Sequence, residues 1–276
     1  MAHIFVFGLG YTAGVIAGEL RGRGWAVAGT GGGHLAFDDD DGVRAALVRA
    51  DHVLSSVPPG EGADPVLARY GDALDHGWLG YLSSSGVYGD TRGAWVDESA
   101  PTGTGRRPAR AAADAAWLAR GARVFRLPGI YGPGRSALDR VRAGRAHRID
   151  LPGQVFSRVH VADIAAGVIA AQDAPPGAYN LADDLPCSHN AVIKEACRLL
   201  GLPPPALQGL DEAGLPPAAR AFYAENRRIA NGKARRVLGW RPRYPTYREG
   251  LAALRACAGE EPAAGSAVGP ARHCRT

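Results

Sequence analysis

A glycine-rich segment near the start of the chain has the spacing of a phosphate-binding loop. Gly8, Gly10 and Ala13 follow the pattern Gly-x-Gly-x-x-Ala, with Tyr11 and Thr12 inside it. The first glycine permits a tight turn, the second lets backbone approach a pyrophosphate, and the small third residue allows close helix packing. A helix beginning here would offer free N–H groups to phosphates. The pattern predicts dinucleotide binding by all five residues, and the alternative is a purely structural glycine turn.

The segments around this loop supply the context that the motif requires. Residues 4–7 are apolar and predict a strand, and residues 11–23 follow with helical spacing. Similar alternation continues along the first half of the chain, where we predict strands at 25–28, 53–57, 79–83 and 123–127 and helices at 42–49, 64–75 and 108–120. This alternation predicts an α/β fold, a Rossmann-type doubly wound parallel sheet covered by helices on both faces.

The second half is less regular and predicts a small C-terminal substrate lobe. Proline and glycine interrupt it, and helical spacing recurs at 135–143, 162–172, 188–200 and 246–257. We expect a dinucleotide-binding core over 1–130, with 155–182 returning to it, a mainly substrate-binding lobe over 131–257, and a disordered tail over 258–276.

Composition excludes several classes of function. The net charge is +5, but no basic stripe with interleaved aromatic residues appears, so we expect no nucleic-acid partner. No apolar run reaches about 18 residues, and the start lacks a basic leader, which predicts no membrane partner and a cytoplasmic protein. The cysteines, Cys187, Cys197, Cys257 and Cys274, form no Cys-x-x-Cys pair, so we expect reduced thiols and no metal site.

Further segments resemble one known superfamily. They are 82–90 (LSSSGVYGD), 126–134 (RLPGIYGPG), 158–165 (RVHVADIA), 179–183 (YNLAD) and 238–242 (LGWRP). In this order they resemble the extended and atypical short-chain dehydrogenase/reductases, the NAD-dependent epimerase/dehydratase and sugar-nucleotide epimerase-like proteins. The likeness covers roughly residues 3–255.

The resemblance implies roles for individual residues around NAD or NADP and a small-molecule substrate. Ser84 matches the catalytic Ser/Thr, whose hydroxyl would bond a substrate carbonyl or alcohol. On the cofactor, Ser55 and Val57 would lie near the nicotinamide ribose, and Pro128 and Ile130 near the nicotinamide. The implied substrate-binding residues are Ser85, Tyr88, Tyr131, Arg135 and Arg158. Asp163 is expected to cap a helix. The resemblance is also compatible with a homodimer.

The family's Tyr-x-x-x-Lys pair is missing. Arg106 stands where the tyrosine should be and Arg110 where the lysine should be. An arginine stays charged and cannot serve as a general acid or base at ordinary pH. Arg110 remains a candidate for the catalytic site because it could hold ribose hydroxyls or a phosphate. Tyr88 and Tyr131 are the alternative acids that we consider.

The adenosine end of the cofactor site also departs from the family. No acidic residue follows the second strand, and no arginine occurs there, so the choice between NAD and NADP stays open. We take Thr30 and Asp38 as cofactor-binding candidates in this region. Residues 35–37 follow Thr30 too closely for a parallel crossover, so they either pair antiparallel or form no regular strand. Residues 38–41 either reach the adenine or form an acidic turn that caps the helix at 42–49.

Three functions follow from these features. The first is an oxidoreductase or epimerase that uses NAD or NADP on a hydroxylated substrate, such as a sugar nucleotide or a phosphorylated compound. The second is a non-catalytic nucleotide-binding sensor or partner protein, which the missing pair favours. The third is an isomerase or lyase without hydride chemistry. Dehydratase chemistry is disfavoured, because Ser85 and Gly86 stand where that branch carries an acidic pair.

Overall fold

The structure, a computed structural model, describes residues 1–60 and 62–259. Its strands are β1 (His3–Phe7), β2 (Ala26–Gly29), β3 (His52–Ser55), β4 (Trp78–Ser84), β5 (Trp95–Val96), β6 (Arg123–Leu127), β7 (Gly129–Tyr131), β8 (Arg148–Ile149), β9 (Arg158–His160), β10 (Gly177–Asn180), β11 (Leu207–Gln208) and β12 (Arg228–Ile229). Its helices are α1 (Tyr11–Gly22), α2 (Asp40–Val48), α3 (Pro65–Tyr70), α4 (Pro108–Ala119), α5 (Ala137–Arg142), α6 (Val161–Ala170), α7 (His189–Leu200), α8 (Pro217–Arg220), α9 (Gly232–Val237) and α10 (Tyr247–Gly259). Short 3₁₀ turns lie at Gly71–Ala73, Ser85–Tyr88 and Ala221–Ala224.

The main sheet has six strands in the order β10-β6-β4-β3-β1-β2. Every neighbouring pair in it is parallel. The predicted α/β fold with a doubly wound parallel sheet is therefore confirmed, and the strands and helices predicted in the first half are found within a few residues of their expected bounds.

Alternation along β1 explains why both faces of the sheet are covered. Ile4 and Val6 enter one apolar layer, which also contains buried residues of α1 and α6. Phe5 and Phe7 enter the other, with buried residues of α2, α3 and α4. Because successive strand residues point to opposite faces, a strand that is apolar throughout needs helices on both sides.

The short connection after β2 does not form a strand. Thr30 and Leu35 make a single parallel bridge, and α2 then begins at Asp40. Of the two alternatives for residues 35–37, the irregular one is confirmed, because the connection has no room for a crossover helix. Asp39 caps α2 by accepting a hydrogen bond from the Gly42 N–H at 3.1 Å, which confirms the capping interpretation of the acidic turn.

The C-terminal part packs three helices around a smaller apolar cluster. Leu138 of α5, Val192 and Ala196 of α7, and Tyr247 and Leu251 of α10 are buried together. Three pairs of short parallel strands lie outside the main sheet, namely β5 with β12, β7 with β9 and β8 with β11.

The structure describes the end of the last helix and three of the four cysteines. The tail was predicted from 258, but α10 continues to Gly259, and 260–276 lie outside the described residues. Cys187 and Cys197 are free thiols, while Cys274 lies beyond the described range. Among the described residues, no helix is long and apolar enough to cross a membrane, and no group of His, Cys, Asp or Glu is arranged to hold a metal ion.

Candidate functional site

A cavity of about 690 Å³ opens beyond the carboxyl ends of β1, β4 and β6 and extends to the small C-terminal helices. Open parallel sheets bind ligands at this edge. It brings together many of the predicted site residues, namely Gly10, Tyr11, Thr12, Ser84, Ser85, Arg110, Pro128, Ile130, Tyr131, Arg135 and Arg158.

Hydrogen bonds with Ser56 and Thr30 hold the phosphate loop in place. Gly8 has φ +81°, a left-handed conformation that suits glycine, and its carbonyl accepts a hydrogen bond from the Ser56 hydroxyl. The Gly8 N–H donates to the Thr30 hydroxyl at 3.0 Å, and the Leu9 N–H donates to the Thr30 carbonyl at 2.8 Å. Gly10 lies in front of α1 with an ordinary φ of −84°, and a Cβ there would meet open space. The loop therefore leaves room for an anion at the helix N-terminus.

Several predicted cofactor residues lie beneath the cavity instead of lining it. Thr30 is 2% exposed and supports the loop as described, and Ala13 is buried in the apolar layer under α1. Ser55 is fully buried, whereas its neighbour Ser56 lines the cavity. The prediction chose the wrong face of β3, because adjacent residues of a strand point in opposite directions.

Two more cofactor candidates lie away from the cavity lining. Val57 is half-buried and packs on the apolar layer of α2, α3 and α4. Asp38 is exposed in the turn before α2, where its carbonyl accepts a hydrogen bond from Arg69 at 3.2 Å. The structure gives neither residue a ligand-facing position, and a contact of Asp38 with adenine stays a prediction.

Tyr11 connects the phosphate loop to the segment after β7. Its hydroxyl donates to the Pro133 carbonyl at 3.1 Å, and the Arg135 guanidinium lies 5.6 Å from the centre of its ring. Burial raises the pKa of Tyr11, although Arg135 opposes that effect. A ligand on the loop would thus contact a tyrosine and an arginine that are already held together.

Ser84 ends β4 and faces the cavity. Its hydroxyl oxygen accepts a hydrogen bond from the Gly86 N–H at 3.1 Å and so caps the 3₁₀ turn Ser85–Tyr88. The capping role that we weighed against a catalytic one is therefore present. Capping does not exclude a catalytic role, because a hydroxyl that accepts from a backbone N–H keeps its own proton to donate.

A buried polar network lies under Ser84. The Ser83 hydroxyl donates to Asp114 at 2.6 Å, and Asp114 receives two hydrogen bonds from Arg126 at 2.8 and 3.1 Å. Arg126 also donates to the Tyr88 hydroxyl at 3.0 Å, which itself donates to Asn180 at 2.8 Å. Burial lowers the pKa of Arg126, but the hydrogen bonds and charges of Asp114 and Tyr88 together outweigh burial, and the net shift is upward.

The side chain of Tyr88 belongs to this network. Tyr88 is 2% exposed and both hydrogen-bonding capacities of its hydroxyl are used inside the protein. It was predicted to bind substrate and considered as an alternative acid, but the structure buries its ring in the core and does not place it on the cavity wall.

Arg106 and Arg110 do not form a pair on one helix face. Arg106 precedes α4, which begins at Pro108, and only Arg110 lies in the helix. Arg110 donates to the Tyr81 hydroxyl at 3.0 Å, and burial raises the pKa of Tyr81 to about 12. Tyr81 is fully buried, so its phenol does not take the place of the missing catalytic tyrosine.

The cavity wall is rich in arginine. Seven arginines and one carboxylate, Glu225, are found among the described residues that line it; the arginines are Arg106, Arg107, Arg110, Arg135, Arg140, Arg158 and Arg227. Glu225 accepts from the Arg106 N–H and from the Arg227 guanidinium, both at 2.9 Å. Burial would raise the pKa of Glu225, but these contacts hold it below its usual value. Sequence reasoning missed Glu225 and Arg227.

Two further residues singled out in the sequence, Tyr131 and Asp163, are buried in different surroundings. Tyr131 lines the cavity, but its hydroxyl is buried against Gly250 without a hydrogen-bond partner, and burial raises its pKa. Asp163 was expected to cap α6. The structure corrects this, because His160 caps α6 through Nδ1, while Asp163 accepts from the backbone N–H groups of Arg243 and Tyr244.

Two histidines that sequence reasoning passed over also line the cavity. His147 and His189 contact each other, with ring centres 5.0 Å apart. They are separated by 42 positions in the chain, and no local motif signals their contact.

Comparisons with known proteins agree with this geometry. No known family profile matches the chain. The 3-diazoavenalumate denitrifying reductase of a Streptomyces species is 33% identical over 140 residues, which make up 46% of this chain and 45% of that reductase. The chain's match thus spans less than half of that protein's length.

Solved structures match over nearly the whole chain. A functionally unknown conserved protein from Silicibacter pomeroyi is 42% identical with a TM-score of 0.84, covering 93% of this chain and 99% of that one. The UDP-glucose 4-epimerase of Thermus thermophilus, solved with NAD, is 19% identical with a TM-score of 0.70, covering 92% and 99%. The human epimerase family protein SDR39U1, solved with NADPH, is 16% identical with a TM-score of 0.73, covering 92% and 99%. The chain therefore belongs to the family of the Silicibacter pomeroyi protein and shares the Rossmann-type fold of the two epimerase-type structures.

Proposed function

We propose that this protein is an NAD- or NADP-dependent oxidoreductase or epimerase that acts on an anionic substrate with a carbonyl or hydroxyl group. The observation that carries the proposal is the continuity of one cavity. It joins the phosphate loop at Gly10–Thr12, the Ser84 hydroxyl, the Pro128–Ile130 segment and the arginine-rich wall.

The residues at the phosphate loop fit a dinucleotide. Gly10 leaves open space in front of α1, and the first N–H groups of a helix have no partner within it. A pyrophosphate here would also lie beside Tyr11 and Arg135, which are already in contact. The adenosine end is less specific, since Gly31, Gly32, Gly33 and His34 follow β2 where an acidic residue or an arginine would discriminate NAD from NADP.

Ser84 would orient the reacting oxygen of the substrate. When bound, the nicotinamide supplies or accepts a hydride. Because the Ser84 oxygen accepts from the Gly86 N–H, its proton is free to bond the substrate oxygen and stabilise negative charge there. No Tyr–Lys pair is available for proton exchange, and Arg110 holds its charge and can only bind or orient.

The arginine wall supports an anionic substrate. Seven guanidinium groups against one lining carboxylate give this cavity a strong preference for negative charge. Glu225 fixes Arg106 and Arg227 before any ligand arrives, so less side-chain freedom is lost on binding. Three relatives support the assignment. The Streptomyces relative is a reductase, and the two epimerase-type structures were solved with NAD and with NADPH.

A nucleotide-binding sensor or partner protein is the second candidate. One observation favours it. Arg106 lies before α4, and neither Arg106 nor Arg110, which stand in place of the family's tyrosine and lysine, is able to exchange a proton. Such a protein would bind the same dinucleotide but would not convert a substrate.

A substitution at Gly10 tests the cofactor claim without disturbing the fold. We expect Gly10→Asp to fold normally, because its Cβ meets open space, φ is ordinary, and aspartate is a favoured residue before a helix. Its carboxylate would occupy the space for the pyrophosphate and repel it, so NADH and NADPH binding should be lost in calorimetric titration.

The matched control is Gly14→Asp, one turn farther along α1. Gly14 is exposed and a Cβ there also meets open space, so the same charge is introduced away from the loop. Gly14→Asp should retain dinucleotide binding. If wild type does not bind either dinucleotide at millimolar concentration, both candidate functions are rejected.

A further inference from the structure

The His147–His189 pair lies on the part of the cavity wall formed by α5, α7 and the segment between α5 and β8. His147 Nε2 is 3.3 Å from the Tyr223 hydroxyl, and the two imidazole rings are tilted by 32° at a centre distance of 5.0 Å. His189 Nε2 is buried and has no hydrogen-bond partner. A buried polar atom without a partner costs free energy, so its presence on a cavity wall calls for an explanation.

Positively charged groups surround the pair. Arg140 of α5 and Arg158 of β9 line the same cavity. Burial lowers the pKa of His189 to about 3, with Arg158, His147 and Arg140 adding to the effect. Burial and Arg140 likewise lower the pKa of His147, which the backbone carbonyl of Arg145 partly offsets. Both rings are therefore neutral at pH 7, while the guanidinium groups beside them are charged.

An anion bound beside His147 and His189 would favour their protonated forms instead of their neutral forms. A dianion would neutralise the two arginines that now disfavour protonation, and it would add an attractive charge next to the rings. A protonated imidazole has two N–H donors where the neutral ring has one, so proton uptake would also give the His189 nitrogen a partner. The Tyr223 hydroxyl can rotate to accept from or donate to His147 as the ring changes state.

We infer that this part of the cavity is a subsite for a dianionic, phosphate-type group of the substrate, and that its occupation brings a proton onto the His147–His189 pair. The inference rests on the proposed function only in placing the substrate in this cavity. It adds that the substrate carries a dianion at the end held by the histidines, and that its affinity rises as pH falls.

Sulfate is the probe that tests the inference, because it keeps both charges throughout the pH range used. Titration at pH 8 and pH 6, in two buffers with different heats of ionisation, measures affinity and proton uptake together. One linked proton changes affinity by at most about tenfold per pH unit. We expect sulfate to bind at least about tenfold more tightly at pH 6, with net proton uptake. The same titrations in Gly10→Asp remove sulfate binding at the phosphate loop.

Three variants isolate the pair. His147→Gln/His189→Gln should keep sulfate binding through the arginines but lose the pH dependence and the proton uptake. Arg140→Gln should weaken sulfate binding at both pH values. His3→Gln, which changes an exposed histidine at the start of β1, should behave as wild type.

Four results would overturn the inference: no sulfate binding, an affinity that does not change with pH, a pH dependence that persists in the double variant, or acetate binding as tightly as sulfate. The double variant should still bind NADH or NADPH if the proposed cofactor site is correct. In the wild-type protein, sulfate binding without pH dependence or proton uptake, together with intact dinucleotide binding, rejects this inference alone. Proton-linked sulfate binding to wild type without dinucleotide binding rejects the proposed cofactor function alone.

Discussion

Asp114→Ala would leave the Arg126 guanidinium buried without its carboxylate. The pair is joined at 2.8 Å, with side chains only 1% and 4% exposed. Removing one partner of a buried ion pair costs about 3–5 kcal/mol, because the remaining charge stays desolvated. Asp114→Ala also removes the acceptor of the Ser83 hydroxyl. For a protein of this size the loss corresponds to a fall in Tm on the order of 10 °C.

The chain contains a matched surface control for this prediction. Asp40 and Arg69 are also joined at 2.8 Å, but their side chains are 51% and 41% exposed. Asp40→Ala should cost far less stability than Asp114→Ala, because water already screens the Asp40–Arg69 pair. Urea denaturation at pH 7 compares the two free energies of unfolding, and equal losses would show that burial does not set the cost of removing the carboxylate.

A double replacement separates the charge from the packing. Asp114→Leu combined with Arg126→Met removes both charges and keeps apolar volume. We expect it to be more stable than Asp114→Ala, because no charge is left buried and unpaired. If the double variant is the less stable of the two, the ion pair itself stabilises the fold, and the free-energy cost expected for an unpaired Arg126 is wrong.

Three further outcomes are expected. Ser84→Ala should lower the hydride-transfer rate constant by about 100-fold with unchanged dinucleotide affinity, and an unchanged rate would remove the role given to that hydroxyl. Tyr88→Phe should lower stability by about 1–3 kcal/mol, since Asn180 and Arg126 lose a partner, while substrate KM stays as in wild type; a raised KM would return Tyr88 to the substrate site. Burial raises the pKa of Asp183 to about 7, partly offset by Arg158, so the folded protein binds a proton that the unfolded chain releases and stability falls as pH rises from about 4 to 7. Asp183→Asn should therefore be more stable than wild type at pH 8, by up to roughly 4 kcal/mol, and gain little at pH 4, which urea denaturation at both pH values would check.

Local patterns were enough to predict the sheet and the phosphate loop. The glycine spacing at Gly8–Ala13 and the alternating apolar segments depend on neighbours in sequence, which a single chain displays directly. The missing crossover after β2 could also be anticipated, because four residues cannot span it. The structure confirms that residues 35–37 form no regular strand.

Facing direction and long-range contacts were harder to predict. Ser55 was chosen where Ser56 lines the cavity, because a one-residue error on a strand turns a side chain to the opposite face. Glu225 meets Arg106 across 119 positions, and His147 meets His189 across 42, through the packing of the C-terminal helices. Contacts of this kind depend on the tertiary arrangement and leave no spacing pattern in the sequence.

We propose that one cavity holds a nicotinamide dinucleotide with its nicotinamide against Pro128–Ile130 and beside Ser84. The most direct test is calorimetric titration of NADH, NADPH and ADP-ribose, which lacks the nicotinamide, into wild type and Ile130→Trp. We predict 1:1 binding of at least one dinucleotide to wild type, and in Ile130→Trp a loss of at least about tenfold in its affinity with ADP-ribose binding unchanged. This placement of the dinucleotide is wrong if neither dinucleotide binds to wild type, or if the added tryptophan weakens the binding of ADP-ribose and of the dinucleotide equally.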